Sequence, residues 1–497
     1  MSNYLAFDLG AESGRAMLGT LEEGRLRLEE LHRFLNQPVR LPDGLYWDSL
    51  RLFHDIREGL RVAGRERALK LDGVAVDTWG VDYGLLDGNG ELIVNPRHYR
   101  DARNGPAYEA ALKAAGKETI FEHTGLQFMA LNSLYQLYAA KLACSPGLGA
   151  ARSLLFMPDL LSYWLCGEQK NELTIASTSQ FYNPAQKRWS TELFETLGLP
   201  TCLLGDIVLP GTRLGGLLDE IRDTCALGDT PVFATAGHDT ASAVAAVPAT
   251  GERPWCYISS GTWSLMGVEI DEPVVTKKAL ELTLTNEVGV EGKVRLLKNI
   301  AGLWLVQECR RAWLLEGKEY SYSELTEMAA SAPAFAAVID PDAFLEPGHM
   351  PERIAEYCRK TGQSVPGGPG GFVRVCLESL AYRYRQVLES LETIAGMRIE
   401  DIHIVGGGSR NRLLNRFVAE ATGRRVIAGP TEATAAGNLL VQAMGAGEIS
   451  GLKEIRQVVR ASFELETFVP EAGEGGAAPE WDRAYERYLG VTSRAGR

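Results

Sequence analysis

The chain is poor in the signatures of metal and P-loop enzymes. Its eight cysteines (144, 166, 202, 225, 256, 309, 358 and 376) form no C-x-x-C and share no ligand spacing with a histidine, which argues against zinc. None of the seven histidines lies in an H-E-x-x-H, and there is no G-x-x-x-x-G-K-[ST]. No apolar run approaches transmembrane length, and the N-terminus lacks the basic-then-apolar layout of a signal peptide, so the expected location is the cytoplasm. Cys358 and Cys376 flank a Gly/Pro loop and could meet, but a cytosolic setting favours thiols. Positive charge is in deficit. With 51 Lys and Arg against 64 Asp and Glu the net charge is −13, which argues against nucleic acid or an anionic membrane as the main partner.

What is present fits a soluble globular protein, 45% hydrophobic and 23% charged, too long at 497 residues for one ordinary core. The Pro/Gly-rich joint from Val247 to Pro254 suggests two domains, 1–247 and 248–497. The organising stretch is N-terminal. Leu5 to Leu9 reads as a strand, Gly10 to Gly14 as a short polar turn, and Arg15 to Gly19 as the start of a second strand. Such a turn can converge its N–H groups on an anion, with Ser13 adding a hydroxyl and Arg15 a charge, or it can be an ordinary tight hairpin. Asp8 ends a strand predicted to be central, where a bound cation would explain an otherwise costly carboxylate. The pattern recurs at Trp255–Val268, again strand, small polar turn and strand.

Along the chain, Arg25–Leu28 suits a third antiparallel strand, and Leu50, Phe53, Ile56, Leu60 and Ala63 recur at helical spacing up to Gly64. The strand Val74–Asp77 delivers Thr78 to Gly84, whose carboxylate, hydroxyl, glycines and aromatics suit either a polyol pocket or a tight hairpin. Residues 106–145 read as helical, and Met157–Leu165 as a buried helix. Pro231–Ala236 is a buried strand, followed by Gly237-His238-Asp239-Thr240 and a small-residue helix. Asp239 at that helix start either caps it or acts as a base kept ionised by the macrodipole, and catalysis is the favoured reading. In the second half, Asn299 and Gln307 are amides able to bond a sugar or nucleotide, or to cap and face water. Residues 333–351 and 364–372 read as loops, ahead of a helix from Val375 to Ala395. Gly406-Gly407-Gly408 follows the strand Ile402–Val405. It lacks the third glycine and the ribose-binding acid of a dinucleotide fold, and suits instead a flat surface for an adenine.

Asp77-Thr78-Trp79-Gly80-Val81-Asp82, Gly237-His238-Asp239-Thr240, Ser260 to Gly267, Asn299 to Gln307 and Val405 to Gly408 together resemble the FGGY carbohydrate kinases over nearly the whole chain. The resemblance implies an α/β protein of two actin-like (ribonuclease H-like) ATPase domains. Each would be a mixed sheet flanked by helices, with a cleft between them. It implies that Ala11, Glu12, Ser13, Gly14, Arg15, Thr262, Gln307 and Gly407 bind ATP. Gly80, His238, Asp239, Thr240 and Asn299 would bind a ketose, with Asp239 as base. Asp8 would anchor Mg2+ through water. Glu12 departs from the small hydroxyl residue expected in that turn, and an acid there repels phosphate unless it points away or helps hold magnesium. The acceptor so implied is the 1-hydroxyl of L-rhamnulose. The alternatives are another ketose such as L-fuculose, or an actin-like nucleotide-binding regulator without a sugar. Neither nucleic acid nor membrane is expected as a partner, and the assembly is a monomer or small homo-oligomer.

Overall fold

A computed structural model describes Met1 to Ala495. Strands β1 (Ser2–Leu9), β2 (Ser13–Glu22) and β3 (Arg25–Leu35) form an antiparallel meander. Helix α1 (Ser49–Arg61) follows, capped by Asp48, which accepts from the Arg51 N–H. Its buried face is Leu52, Ile56, Gly59 and Leu60, while Leu50 is exposed, and the chain runs on through a wider turn, Val62–Glu66, past Gly64. Next come β4 (Gly73–Thr78), β5 (Thr212–Gly216) and β6 (Pro231–Ala234), with helix α2 (Asp239–Ala245) leaving β6. The sheet order is β3-β2-β1-β4-β6-β5, with β1, β4 and β6 parallel. Register sets Asp8 opposite Asp77 and Leu9 opposite Thr78. The region expected to be helical at 106–145 is three helices, Asn104–Ala115, Lys117–Thr124 and Ser133–Leu142, broken where Gly116 and Gly125 take positive φ.

The second sheet is built from β7 (Trp255–Ser260), β8 (Trp263–Ile270), β9 (Thr285–Val288), β10 (Val294–Ala301), β11 (Asp401–Val405), β12 (Arg425–Ala428) and β13 (Glu466–Phe468). Its order is β9-β10-β8-β7-β11-β12-β13, with β7, β11 and β12 parallel. The first sheet's plan therefore recurs. In each, a hairpin places its second strand on one side of the first, and two later parallel strands extend the other side. Helices α3 (Trp304–Leu315), α4 (Gly368–Ala395) and α5 (Arg412–Thr422) lie in this half of the chain. Helix α4 begins earlier than the Gly/Pro run suggested, because Pro369 falls in a first turn whose N–H groups have no intrahelical partner anyway.

The described chain packs as two compact units. One holds 1–250, 269–296 and 433–462; the other holds 251–268, 297–432 and the chain from Phe463 on. The first unit runs from the start of the chain to Thr250, and the two later segments pack with it. Helix α6 (Ala433–Gly445) supplies the reason in one of them. Its small residues approach α2 so closely that a Cβ on Gly437 would stand 1.8 Å from the Ser242 carbonyl oxygen. The Thr235 hydroxyl donates to the Asn438 carbonyl at 3.1 Å, and Gln442 Nε2 donates to the Leu5 carbonyl at 3.1 Å. Gly437→Ala should therefore force backbone apart and cost about 1–3 kcal/mol, read as a lowered Tm. Gly149→Ala, where a Cβ would meet nothing within 4 Å, should stay within about 0.5 kcal/mol of the parent.

Candidate active site

In an α/β sheet, ligands bind outside the carboxyl ends of the parallel strands. In the first unit those ends carry the candidate sugar and phosphate residues. Beyond β1 the turn closes with Gly10 N–H donating to the Ser13 carbonyl at 2.9 Å. Asn36 pins it from β3's far end, donating from Nδ2 to the Gly10 carbonyl and from its N–H to that of Glu12, at 2.9 and 3.0 Å. Ala11 and Ser13 are half-buried at the tip, and Glu12 is exposed, so its charge stays hydrated. Sheet packing leaves no room for a side chain at Gly14, since a Cβ there would lie 2.3 Å from the Phe34 ring. Arg15 Nη2 donates to Asp8 Oδ2 at 2.5 Å, and that carboxylate is 8% exposed.

β4 ends in Asp77 and Thr78, both fully buried. Asp77 Oδ2 accepts from Asn438 Nδ2 at 2.6 Å, while Oδ1 is buried without a hydrogen-bond partner. Burial, then the charge of Asp8, pushes this carboxyl well above the usual range, Asn438 pulling it partly back. Next come Gly80 and Val81, the latter at φ +71°, a strained geometry for a β-branched residue. Its neighbours hold it there. The Val81 N–H donates to Thr178 Oγ1 at 3.2 Å, and its carbonyl accepts from Ser133 Oγ at 2.5 Å. Asp82 anchors the end of the loop, accepting from the indoles of Trp47 and Trp79 at 2.5 and 2.9 Å, from Gln136 Nε2 at 2.8 Å and from the Tyr99 N–H at 3.3 Å. Burial pushes its carboxyl up to about 7 against the pull of those donors. His98 stacks on Trp47 with centroids 4.1 Å apart, and burial pushes its imidazole down to about 4.

Beyond β6, the Gly237 carbonyl accepts from the Thr78 N–H at 2.9 Å, and the Gly237 N–H donates to the buried Glu172 Oε2 at 2.9 Å. Asp239 is the first helical residue, not the cap. Its Oδ1 accepts from the Thr240 N–H at 2.5 Å and from the Thr240 hydroxyl at 3.1 Å, and His238 Nε2 faces it at 3.4 Å. Among the described residues nothing bonds Oδ2, and the side chain is 30% exposed. A Cβ on Gly80 would stand 3.4 Å from both His238 Nε2 and Thr178 Oγ1, so the missing methyl leaves room beside the histidine. Four of the five residues expected to contact a sugar, Gly80, His238, Asp239 and Thr240, thus meet at neighbouring strand ends. Asn299 lies on β10 in the second unit, half-buried, next to Lys298, whose ammonium is brought down to about 8 by burial and then by Arg383.

The second unit repeats the layout. The Gly261-Thr262 turn after β7 is pinned to the segment that starts α3. The Gly302 and Trp304 N–H groups both donate to the Thr262 carbonyl at 3.1 Å, and the Leu303 N–H to that of Gly261 at 3.0 Å. Gly302 permits this approach, since a Cβ there would lie 2.6 Å from the Trp263 carbonyl carbon. Gln307 follows on α3, its Oε1 buried without a hydrogen-bond partner. After β11, Gly408 packs so tightly that a Cβ would fall 2.0 Å from Ser260 Oγ, while Gly407 is exposed with nothing within 4 Å of its Cβ position. Among the described residues no three His, Cys, Asp or Glu side chains gather into a metal cluster, and no helix is long and apolar enough to cross a membrane. Cys358 and Cys376 are both buried free thiols.

Two sheets of one plan, each offering polar turns at the carboxyl ends of its parallel strands, define an actin-like α/β phosphotransfer fold. The model of the FGGY carbohydrate kinase N-terminal domain matches residues 3–246, and that of the C-terminal domain matches 256–446. The chain belongs to the FGGY family of carbohydrate kinases, and its reaction class is the ATP-dependent phosphorylation of a sugar. It is 46% identical to the rhamnulokinase of Bacteroides thetaiotaomicron over 97% of this chain and 98% of that one. To the rhamnulokinase of Pectobacterium atrosepticum it is 40% identical over 97% and 96%. A ligand-bound xylulose kinase from Lactobacillus acidophilus superposes with a TM-score of 0.82 over 100% of this chain and 99% of that one, at 14% identity.

Sequence reading did not single out Asn36, Glu172, Glu287 or Arg295 as members of the site. Asn36 reaches back to Gly10, Glu172 to Gly237, and Glu287 and Arg295 to His238, all distant in sequence, and of the four only Arg295, between Val294 and Leu296, is flanked by apolar residues on both sides. Neutral His98 has a sign-definite consequence. Its folded pKa lies below the unfolded value, so its contribution is present above about 6.5 and is lost as pH falls towards 4, by up to ~1.4 kcal/mol per unit. His98→Phe keeps the stack on Trp47 and removes the proton site. Chemical denaturation at pH 7 and pH 5 should show a smaller loss of stability on acidification in the variant than in the parent.

Proposed function

We propose that the chain transfers the γ-phosphoryl group of ATP to the 1-hydroxyl of L-rhamnulose, giving L-rhamnulose 1-phosphate and ADP, with Asp239 as the base. The observation that carries this is the asymmetry of Asp239. One carboxylate oxygen is tied by Thr240 and faced by His238, and among the described residues nothing bonds the other, on a side chain that is partly exposed. As the sugar oxygen bonds to phosphorus and the bond to ADP's bridging oxygen breaks, Oδ2 takes the hydroxyl proton. The names of the relatives support rhamnulose as acceptor and a place in rhamnose breakdown.

Gly80, His238, Thr240 and Asn299 orient the ketose. Ala11 to Arg15, Thr262, Gln307 and Gly407 receive the nucleotide, and the orphaned Gln307 Oε1 suits a ligand N–H. The sheet ends also fit a magnesium ion. Asp77 Oδ1 is a buried oxygen without a partner one strand from Asp8, and Mg2+ commonly takes one or two carboxylates and completes its shell with water and phosphate. Asp8 would hold it through water, and it would supply neutralisation of phosphate charge. We further propose residues 1–247 and 248–497 as the two functional domains, a cytoplasmic location, and a monomer or small homo-oligomer.

ADP release across a ketose panel tests the acceptor. L-rhamnulose should stimulate most; a stronger response to L-fuculose would reassign the substrate, and no stimulation by any sugar would favour a nucleotide-binding regulator. Asp239→Asn should lower kcat by about 10²–10⁴ with little change in sugar KM and Tm. Asp8→Asn should raise the magnesium concentration needed for half-maximal rate, and an unchanged requirement would return Asp8 to a purely structural role.

A further inference from the structure

Behind His238 lies a buried charge pair that the reaction as proposed does not use. Arg295, fully buried at the middle of β10's first half, donates from Nη2 and Nε to the Val288 carbonyl at 3.1 and 3.2 Å. The same Nη2 stands 3.1 Å from Glu287 Oε2 and 3.2 Å from His238 Nδ1, and Glu287 Oε2 is itself 3.3 Å from that ring nitrogen. On the ring's other side, Nε2 faces Asp239 Oδ1 at 3.4 Å. All four residues belong to one packing unit. Burial raises the Glu287 carboxyl, but Arg295 and then His238 outweigh it, and the net shift is downward.

Packing gives no reason for this pair. A buried ion pair is often no more stabilising than hydrophobic residues of the same size, and here Arg295 Nη1 is left without a hydrogen-bond partner. The ring is held from both sides. Glu287 Oε2 and the Arg295 guanidinium lie against Nδ1, and Asp239 Oδ1 lies against Nε2, so the ring plane is fixed along the line from the buried pair to Asp239.

We propose that Glu287 and Arg295 are positioning residues for the phosphoryl transfer. They fix the ring plane of His238 so that Nε2 stays against Oδ1 of Asp239 and Oδ2 is left to take the sugar proton. This rests on the reading of Asp239 as base and extends it to a pair with no place for a substrate contact.

The test is a double-mutant cycle on the full chain, with L-rhamnulose and Mg-ATP. The paired variant Glu287→Leu/Arg295→Met removes both charges without stranding either, and a Tm near the parent's reports that it folds. We expect kcat to fall about 10- to 100-fold, with ketose KM within about threefold of the parent. Placed on Asp239→Asn, the same pair should change kcat by less than about twofold, because the group it acts through is gone. If the pair fails to fold, Glu287→Asp keeps the charge, withdraws the carboxylate from the ring, and is read in both backgrounds in the same way. Unchanged kcat in the parent background, or an equal loss in both, overturns the proposal while leaving Asp239 as base. Parental kcat in Asp239→Asn alone overturns both readings.

Discussion

Carboxylates at the carboxyl ends of parallel strands set the constraint on which the first unit depends. Asp8, Asp77 and Asp239 stand at or just beyond the ends of β1, β4 and β6, and a carboxylate leaving water must find donors or give up its charge. The chain answers three times, differently. Asp8 meets the guanidinium of Arg15 on the next strand of its own hairpin. Asp77, fully buried and with one oxygen unpaired, is pushed towards its neutral form. Asp239 stays partly exposed and receives the Thr240 donors on one oxygen. Only the third arrangement leaves an unbonded carboxylate oxygen on a partly exposed side chain.

Much of the packing follows from meeting these needs. The amide that serves Asp77 belongs to Asn438, more than 350 residues on, and it reaches the strand end only because α6 lies almost in contact with α2. Close approach of two helices demands small residues on both, which is why Ala and Gly crowd 433–437 and 241–246. The loop from Trp79 to Asp82 obeys the same logic. Val81 is held in a left-handed conformation by Thr178 and Ser133, and Asp82 is fixed by two indoles. The strain sits one residue from Gly80, where a strand must stop short and open space beside His238.

The legible part of the fold was its repetition. Strand, small polar turn and strand occur twice because each domain starts its sheet with a hairpin, and local periodicity records that directly. Elsewhere the local signal pointed to the right residue for another reason. Gly14 belongs to a phosphate-sized turn, yet what forbids a side chain there is the Phe34 ring from β3. Leu50 has helical spacing but faces water, since the buried stripe is set by what α1 lies against. The Gly/Pro run at 364–372 looks like a loop, although its last part opens α4, where a first-turn proline costs no hydrogen bond.

By itself the sequence determined the class of fold, the two hairpins, and the short motifs that name the family, because each of these is written within a dozen neighbouring residues. It also determined that Asp239 begins a helix after a buried strand. Tertiary structure alone decided that Asn438 serves Asp77 and that Glu287 and Arg295 meet at His238. Those are contacts between segments about 50 to more than 350 residues apart. Such contacts leave no periodicity in the chain, because their partners are chosen by the register and packing of whole elements rather than by any local preference.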